Sequence, residues 1–111
     1  MKKGKNDILQ GTLTLLVLKT LEAQGACHGY RLCSHIQSAS ADLLRVEEGS
    51  LYPALHRMEE AGWIRASWIA KENGRRVRGY RLSVAGKKQL AGEESRWRST
   101  TSAVNRVLEE F

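Results

Sequence analysis

The dipeptide Asn73-Gly74 stands between two strand-like runs, "WIRASWIA" and "RVRGYRLS". Asn-Gly in that setting is the sequence mark of a tight type I′ β-hairpin, because both residues accept a positive φ at little cost. The hairpin fixes an antiparallel pair of strands in the second half of a 111-residue chain. It is also strongly basic: Lys71, Arg75, Arg76, Arg78 and Arg81 face a single acid, Glu72.

Three helical segments precede it. Asn6 and Asp7 are good N-cap types and Gly25 a good stop. Between them Leu9, Leu13, Leu16, Val17 and Leu21 form a helical stripe, although "TLTLLVL" also alternates as a strand would. "HGYRLCSHIQ" predicts a short helix starting near Gly29, "SASADLL" a turn or loop, and "LRV" a brief extended segment. In "EEGSLYPALHRMEEAGWI", Leu51, Leu55 and Met58 recur at i, i+4 and i+7 and point inward. Tyr52, His56 and Arg57 are thereby left on the exposed face. Ser50 is a candidate N-cap, with Glu47 as the alternative start. Capping at Ser50 puts Pro53 at the third helical position, where its missing N–H costs no intrahelical bond. Gly62 closes the helix.

Ser83 caps a last helix. Its apolar positions Leu90, Trp97, Val104, Leu108 and Phe111, with Glu94 and Thr101 between them, keep a 4-3-4-3 spacing. That spacing is a seam for packing along another helix. Two of its seven positions are polar, which favours a partner's core over a long isolated coiled coil. A chain of this size makes one domain, and a second copy would enlarge a thin core. The expected organisation is one compact unit: residues 1–83 hold the short helices and the hairpin, and residues 84–111 form the long last helix.

The formal net charge of +6 and the pI near 9.7 favour a polyanionic partner. "ILQGTLTLLVLKTL" is too short and too polar to span a bilayer, so no membrane partner and a cytoplasmic location are expected. Cys27 and Cys33, with His28 and His35 beside them, lack the Cys-x-x-Cys pair of a zinc site and would point around several sides of one helix. No metal, no cofactor and no catalytic residue is expected. His28, His35 and His56 have no evident carboxylate partner at catalytic spacing, and neither a nucleophile–base pair nor a Gly-rich phosphate loop is present.

Three short helices followed by a two-stranded wing and a long helix make a winged helix-turn-helix: mainly α, with a small β element. In that arrangement the third helix enters the major groove and the hairpin tip reaches flanking phosphates or the minor groove. Base edges and backbone oxygens would then give the Tyr52–His56–Arg57 face its use.

"GTLTLLVLKTL", "HGYRL", "GSLYPALHRMEEAGWI", "ENGRRVRGYRLSVAGKKQL" and the late "RW" with "VNRVL" resemble the PadR family of bacterial transcriptional regulators, from about Gly11 to Leu108. The single last helix is similar to the short PadR subgroup. The resemblance implies a homodimer joined through the first and last helices, binding double-stranded operator DNA, usually as a repressor. It also implies that a small hydrophobic or aromatic effector can release the DNA by binding near the dimer interface. It places Ser50, Leu51, Tyr52, Pro53 and His56 on the recognition helix, with Tyr52 and His56 as first choices for DNA contact. Tyr52 has a rival reading, in which the ring packs and only the hydroxyl is exposed. Tyr30 resembles a position near the phosphates, with a core position as the alternative. Arg75 and Arg76 at the wing tip would neutralise phosphates, with Lys71 beside them. Leu90, Trp97, Val104, Leu108 and Phe111 would form the dimer seam, and Trp97 could also touch an effector. Trp63 and Trp68 read as structural, covering the base of the wing.

Two departures stand out. Glu47-Glu48 replaces a Ser-Pro that many relatives carry before the recognition helix; acids suit a helix N-terminus but repel phosphate. Gly79 takes a strand position where relatives often carry a larger residue, which predicts a looser wing strand. The competing function is a winged-helix protein-interaction module without specific DNA binding.

Overall fold

The computed structural model describes residues 7–70 and 73–110. The order is α1 (Asp7–Gln24), β1 (Cys27–His28), α2 (Gly29–Ala39), α3 (Glu48–Glu60), β2 (Ile64–Ala70), β3 (Arg76–Leu82) and α4 (Val84–Glu110). The sheet is antiparallel in the order β1-β3-β2. The two-stranded wing is present, and a third strand of two residues joins its inner edge.

The first segment is helical, as its length favours. Leu13, Val17, Leu18 and Leu21 are buried along one side of α1, and Gly25 ends it at φ +78. Leu9, like Asn6, lies outside the described side chains. Leu32 and Ile36 of α2, and Leu51, Ala54, Leu55 and Met58 of α3, close on α1 to make the core. Each fully buried leucine contributes about 1.5–3 kcal/mol relative to exposure. Leu44–Val46 joins no strand, but Val46 is buried against the same core.

α3 begins at Glu48 with Glu47 in the cap position, so Ser50 lies inside the helix. Pro53 is consequently the sixth helical residue, not the third. Its missing N–H does leave out one intrahelical bond, the one that would run to the Gly49 carbonyl. The exit of α3 is a Schellman motif: the Trp63 N–H donates to the Met58 carbonyl and the Gly62 N–H to the Glu59 carbonyl, both at 3.0 Å. Gly62 has the φ of +83 that this turn requires.

The hairpin is not a two-residue type I′ turn. Ala70 pairs with Arg76, which leaves the odd number of five residues, 71–75, between the paired strands. Asn73 therefore sits at the centre of an odd-numbered connection and Gly74, at φ +83, follows it. The Asn73 side chain accepts from the Arg75 N–H at 3.0 Å. Odd loops with a glycine in the left-handed region are the next most common hairpin form.

Gly79 does not loosen β3. Paired to both β1 and β2, it is buried, and the Ile69 side chain lies directly over it in the space a Cβ would need.

Ser83 joins three elements. Its Oγ donates to the Gly62 carbonyl at 2.6 Å and accepts from the Gly86 N–H at 3.0 Å, capping α4. Its own N–H donates to the Trp63 carbonyl at 3.0 Å. From there α4 runs 27 residues, roughly 40 Å. The radius of gyration is 15.3 Å, against about 13 Å for a compact chain of this length, because the far part of α4 extends beyond the rest.

Candidate nucleic-acid interface

The residues that α3 leaves outside are those its apolar spacing predicts. Tyr52, Pro53, His56 and Arg57 are exposed, and Ser50 is half-buried. Arg57 has no acidic partner among the described residues, while His56 Nε2 lies 3.3 Å from Glu60 Oε2, one turn on. The absence of a carboxylate partner expected for His56 is thus corrected. The pair is exposed on both sides, so it orients the ring and adds little stability.

Tyr52 reverses its rival reading. The ring is open on one side, 44% exposed, while the hydroxyl end packs against Gly29 at the start of α2. A Cβ on Gly29 would stand 2.7 Å from Tyr52 Cζ and closer still to the hydroxyl, so only glycine admits this contact. Burial of the hydroxyl, reinforced by the nearby Glu48, raises the Tyr52 pKa above the usual phenol value. Tyr52 therefore braces α3 on α2 and offers a ring edge outward. The glycine of "HGY" was visible in the sequence, but its reason was not.

Tyr30 is not in the core. It is 69% exposed and stacks on His28 with ring centroids 6.4 Å apart. Tyr80 is the buried tyrosine.

In the wing, Arg75, Arg76, Arg78 and Arg81 are exposed, and Lys71 lies outside the described residues. Register sorts the wing into two faces. Ile64, Ala66, Tyr80 and Leu82 face the core, and Trp68, Arg76 and Arg78 continue that face outward. Arg65 and Arg81 stand directly opposite each other on the other face, without an acidic partner among the described residues. Trp63 is half-buried against the core, as expected. Trp68 is not a cover for the wing base: it is 59% exposed, with the Arg76 and Arg78 guanidinium groups over its ring. Arg78 also bonds Glu59 at 3.1 Å, tying the wing to α3.

The other sequence-predicted positions lie on α4. Leu90 is buried within the chain, whereas Trp97, Val104 and Leu108 are exposed and Phe111 lies outside the described residues. Val107, missed by the strict seam, is exposed beside them. Trp97 lines a shallow hollow of about 180 Å³ with Thr12, Leu15, Glu93, Arg96 and Thr100.

Cys27 and Cys33 lie on different elements, β1 and α2, rather than around one helix, and burial raises both thiol pKa values. Among the described residues no group of three or more His, Cys, Asp or Glu could hold a metal ion, and no helix is long and apolar enough to cross a membrane.

A family model described as "Transcriptional regulator PadR-like family" matches residues 17–92, from α1 into the start of α4. Among solved structures, the chain is similar to a transcriptional regulator from Clostridium thermocellum at 26% identity and a TM-score of 0.80, covering 90% of this chain and 93% of that one. A PadR-like transcriptional regulator from Bacillus cereus matches at 28% identity and 0.77, covering 91% and 95%. An uncharacterized protein of Lysinibacillus sphaericus is 22% identical over 105 residues, 95% of each chain.

Proposed function

The chain belongs to the transcriptional regulator PadR-like family, and on that premise we propose that it is a sequence-specific repressor that binds a palindromic operator as a homodimer. One observation carries the reading. α3 buries Leu51, Leu55 and Met58 while presenting Tyr52, His56 and Arg57 on the side away from the core, and a basic wing is tied to the same helix through Arg78 and Glu59. A helix so presented suits a major groove, and the wing charges suit the flanking phosphates. Ser50 and Pro53 belong to the first turns of that helix, with Tyr30 at its flank. Residues 1–83 are the DNA-binding part and residues 84–111 the dimerisation helix. Leu90 nevertheless sits in the common core, so this boundary divides roles rather than folding units.

The exposed apolar residues of α4 support the second copy, since a bare seam of this kind is what helix pairing covers. An aromatic or hydrophobic effector would sit at Trp97. The hollow there is smaller than the roughly 300 Å³ at which small-molecule sites begin, so a second copy would have to complete it.

Selecting bound duplexes from a random DNA pool tests the reading. We expect a palindrome with half-sites about one helical turn apart. On the selected site, replacing His56 or Arg57 with Ala should cost about 1–3 kcal/mol, with little loss on random DNA. A pool that yields no enriched sequence would instead favour the interaction module.

A further inference from the structure

Trp68 is unexplained by either the core or the recognition helix. It shares a sheet face with Ile64 and Ala66 but lies beyond the edge of the core, and more than half of its surface is open. Arg78 is its direct cross-strand partner and Arg76 its diagonal neighbour. The Arg76 guanidinium carbon lies 5.5 Å from the ring centroid and that of Arg78 6.0 Å, within the range where a ring face attracts a cation. The two arginines differ in what else they hold. Arg78 bonds Glu59 at 3.1 Å, which offsets its charge and turns its fork back toward α3. Arg76 has no acidic partner among the described residues.

A guanidinium laid on an aromatic face keeps its donors free at the edge of the plane, and it has surrendered rotamer freedom before any ligand arrives. We propose that Trp68 is a positioning residue for DNA binding: it holds Arg76 extended and flat for a phosphate oxygen, while Arg78 serves as a strut between wing and recognition helix. The inference rests on the DNA-binding reading above and deepens it. It makes the wing arginines unequal, where their sequence positions look alike.

The test measures duplex binding by the full chain across a salt series, for wild type, Trp68→Ala, Trp68→Phe, Arg76→Ala, Arg78→Ala and the double variant Trp68→Ala/Arg76→Ala. Arg76→Ala should reduce the salt slope by about 0.9, one phosphate's share, and Arg78→Ala should leave it unchanged. Trp68→Ala should keep the slope but weaken binding about two- to fivefold on every sequence, and Trp68→Phe should recover most of that loss. The double variant should bind no worse than Arg76→Ala alone. Additive losses would overturn the proposal by making Trp68 a DNA contact in its own right. An unchanged affinity in Trp68→Ala would overturn it directly, and a slope lowered by Arg78→Ala would remove the strut. A readout without DNA stands beside these. The Arg76 Nε–H resonance should be shifted upfield by the ring in wild type and return in Trp68→Ala; no movement would sink the stack. Wild type that binds no duplex at any salt would strike the functional reading itself and take the proposal with it, whatever the resonance shows.

Discussion

Gly86 and Leu90, in the first half of α4, are buried, whereas Trp97, Val104, Val107 and Leu108 in the second half are 43–68% exposed. One helix thus meets two environments. Its first half is pressed against the β2 entrance so closely that a Cβ on Gly86 would strike the Trp63 carbonyl and come within 2.8 Å of Leu82 Cδ1. Its second half carries an apolar stripe that is only partly covered: Trp97 sits beside Thr12 and Leu15 of α1, whereas Val104, Val107 and Leu108 are open among the described residues. At the changeover stands Glu94, bonded to Arg98 at 2.8 Å and 3.9 Å from Lys19 of α1. The contrast teaches that heptad spacing shows where a helix can pack but not against which chain. The spacing runs on unbroken while the burial stops.

The same substitution at the two ends of the seam should break the comparison most visibly. Leu90→Ala should cost about 2–5 kcal/mol of unfolding free energy in denaturant titration, because it opens a hole in the core. Leu108→Ala should change the dilute chain by under about 0.5 kcal/mol and show itself only as weaker self-association in sedimentation. Equal losses from both would mean that the far half packs within its own chain.

Two glycines of the helix sharpen it further. Gly86→Ala should cost about 1–3 kcal/mol, since the Trp63 carbonyl in its way is held by the Ser83 N–H and cannot step aside. At Gly92 a Cβ would meet only the end of Arg96 at 3.5 Å, an ordinary contact. Gly92→Ala should therefore stabilise by about 0.5–1 kcal/mol through backbone entropy. Thermal unfolding of the pair separates these signs.

The smallest effect belongs to Glu94. The hydrogen bond from Arg98, then the charge of Lys19, holds its carboxyl below the ordinary value of 4.5. The folded chain therefore favours the ionised form. The contribution is present above that ordinary value and fades as pH falls through the lower folded one. Glu94→Gln should slightly flatten the acid side of the curve of Tm against pH and leave neutral pH nearly untouched; a variant as acid-sensitive as its parent would show the cluster to be idle.

Much of the architecture was legible because several signals agreed. In α3, the inward spacing of Leu51, Leu55 and Met58 fixed which side chains would be outside, and Gly62 supplied the stop. What escaped depended on contacts between elements distant in sequence. β1 is two residues long and exists because β3 offers it an edge; nothing local in "CH" announces a strand. Trp68 and Ile64 share a face by alternation, so periodicity could not say that the core ends between them. Ile69 over Gly79 is a cross-strand arrangement that neither residue reveals alone. The start of α3 was open between Glu47 and Ser50 because Ser50 is a good cap type while acids such as Glu47 and Glu48 suit a helix N-terminus, and the Glu47 carbonyl, accepting from Ser50 at 2.9 Å and Leu51 at 3.0 Å, decides it.

The joint at Ser83 has a geometric consequence. One hydroxyl and one amide there, with the close packing at Gly86, set the angle at which α4 leaves the wing. Over a lever roughly 40 Å long, a tilt of about five degrees displaces the far end by some 3.5 Å, close to one base-pair rise along a strand. In the proposed assembly, operator spacing is therefore measured out at this elbow, far from any base.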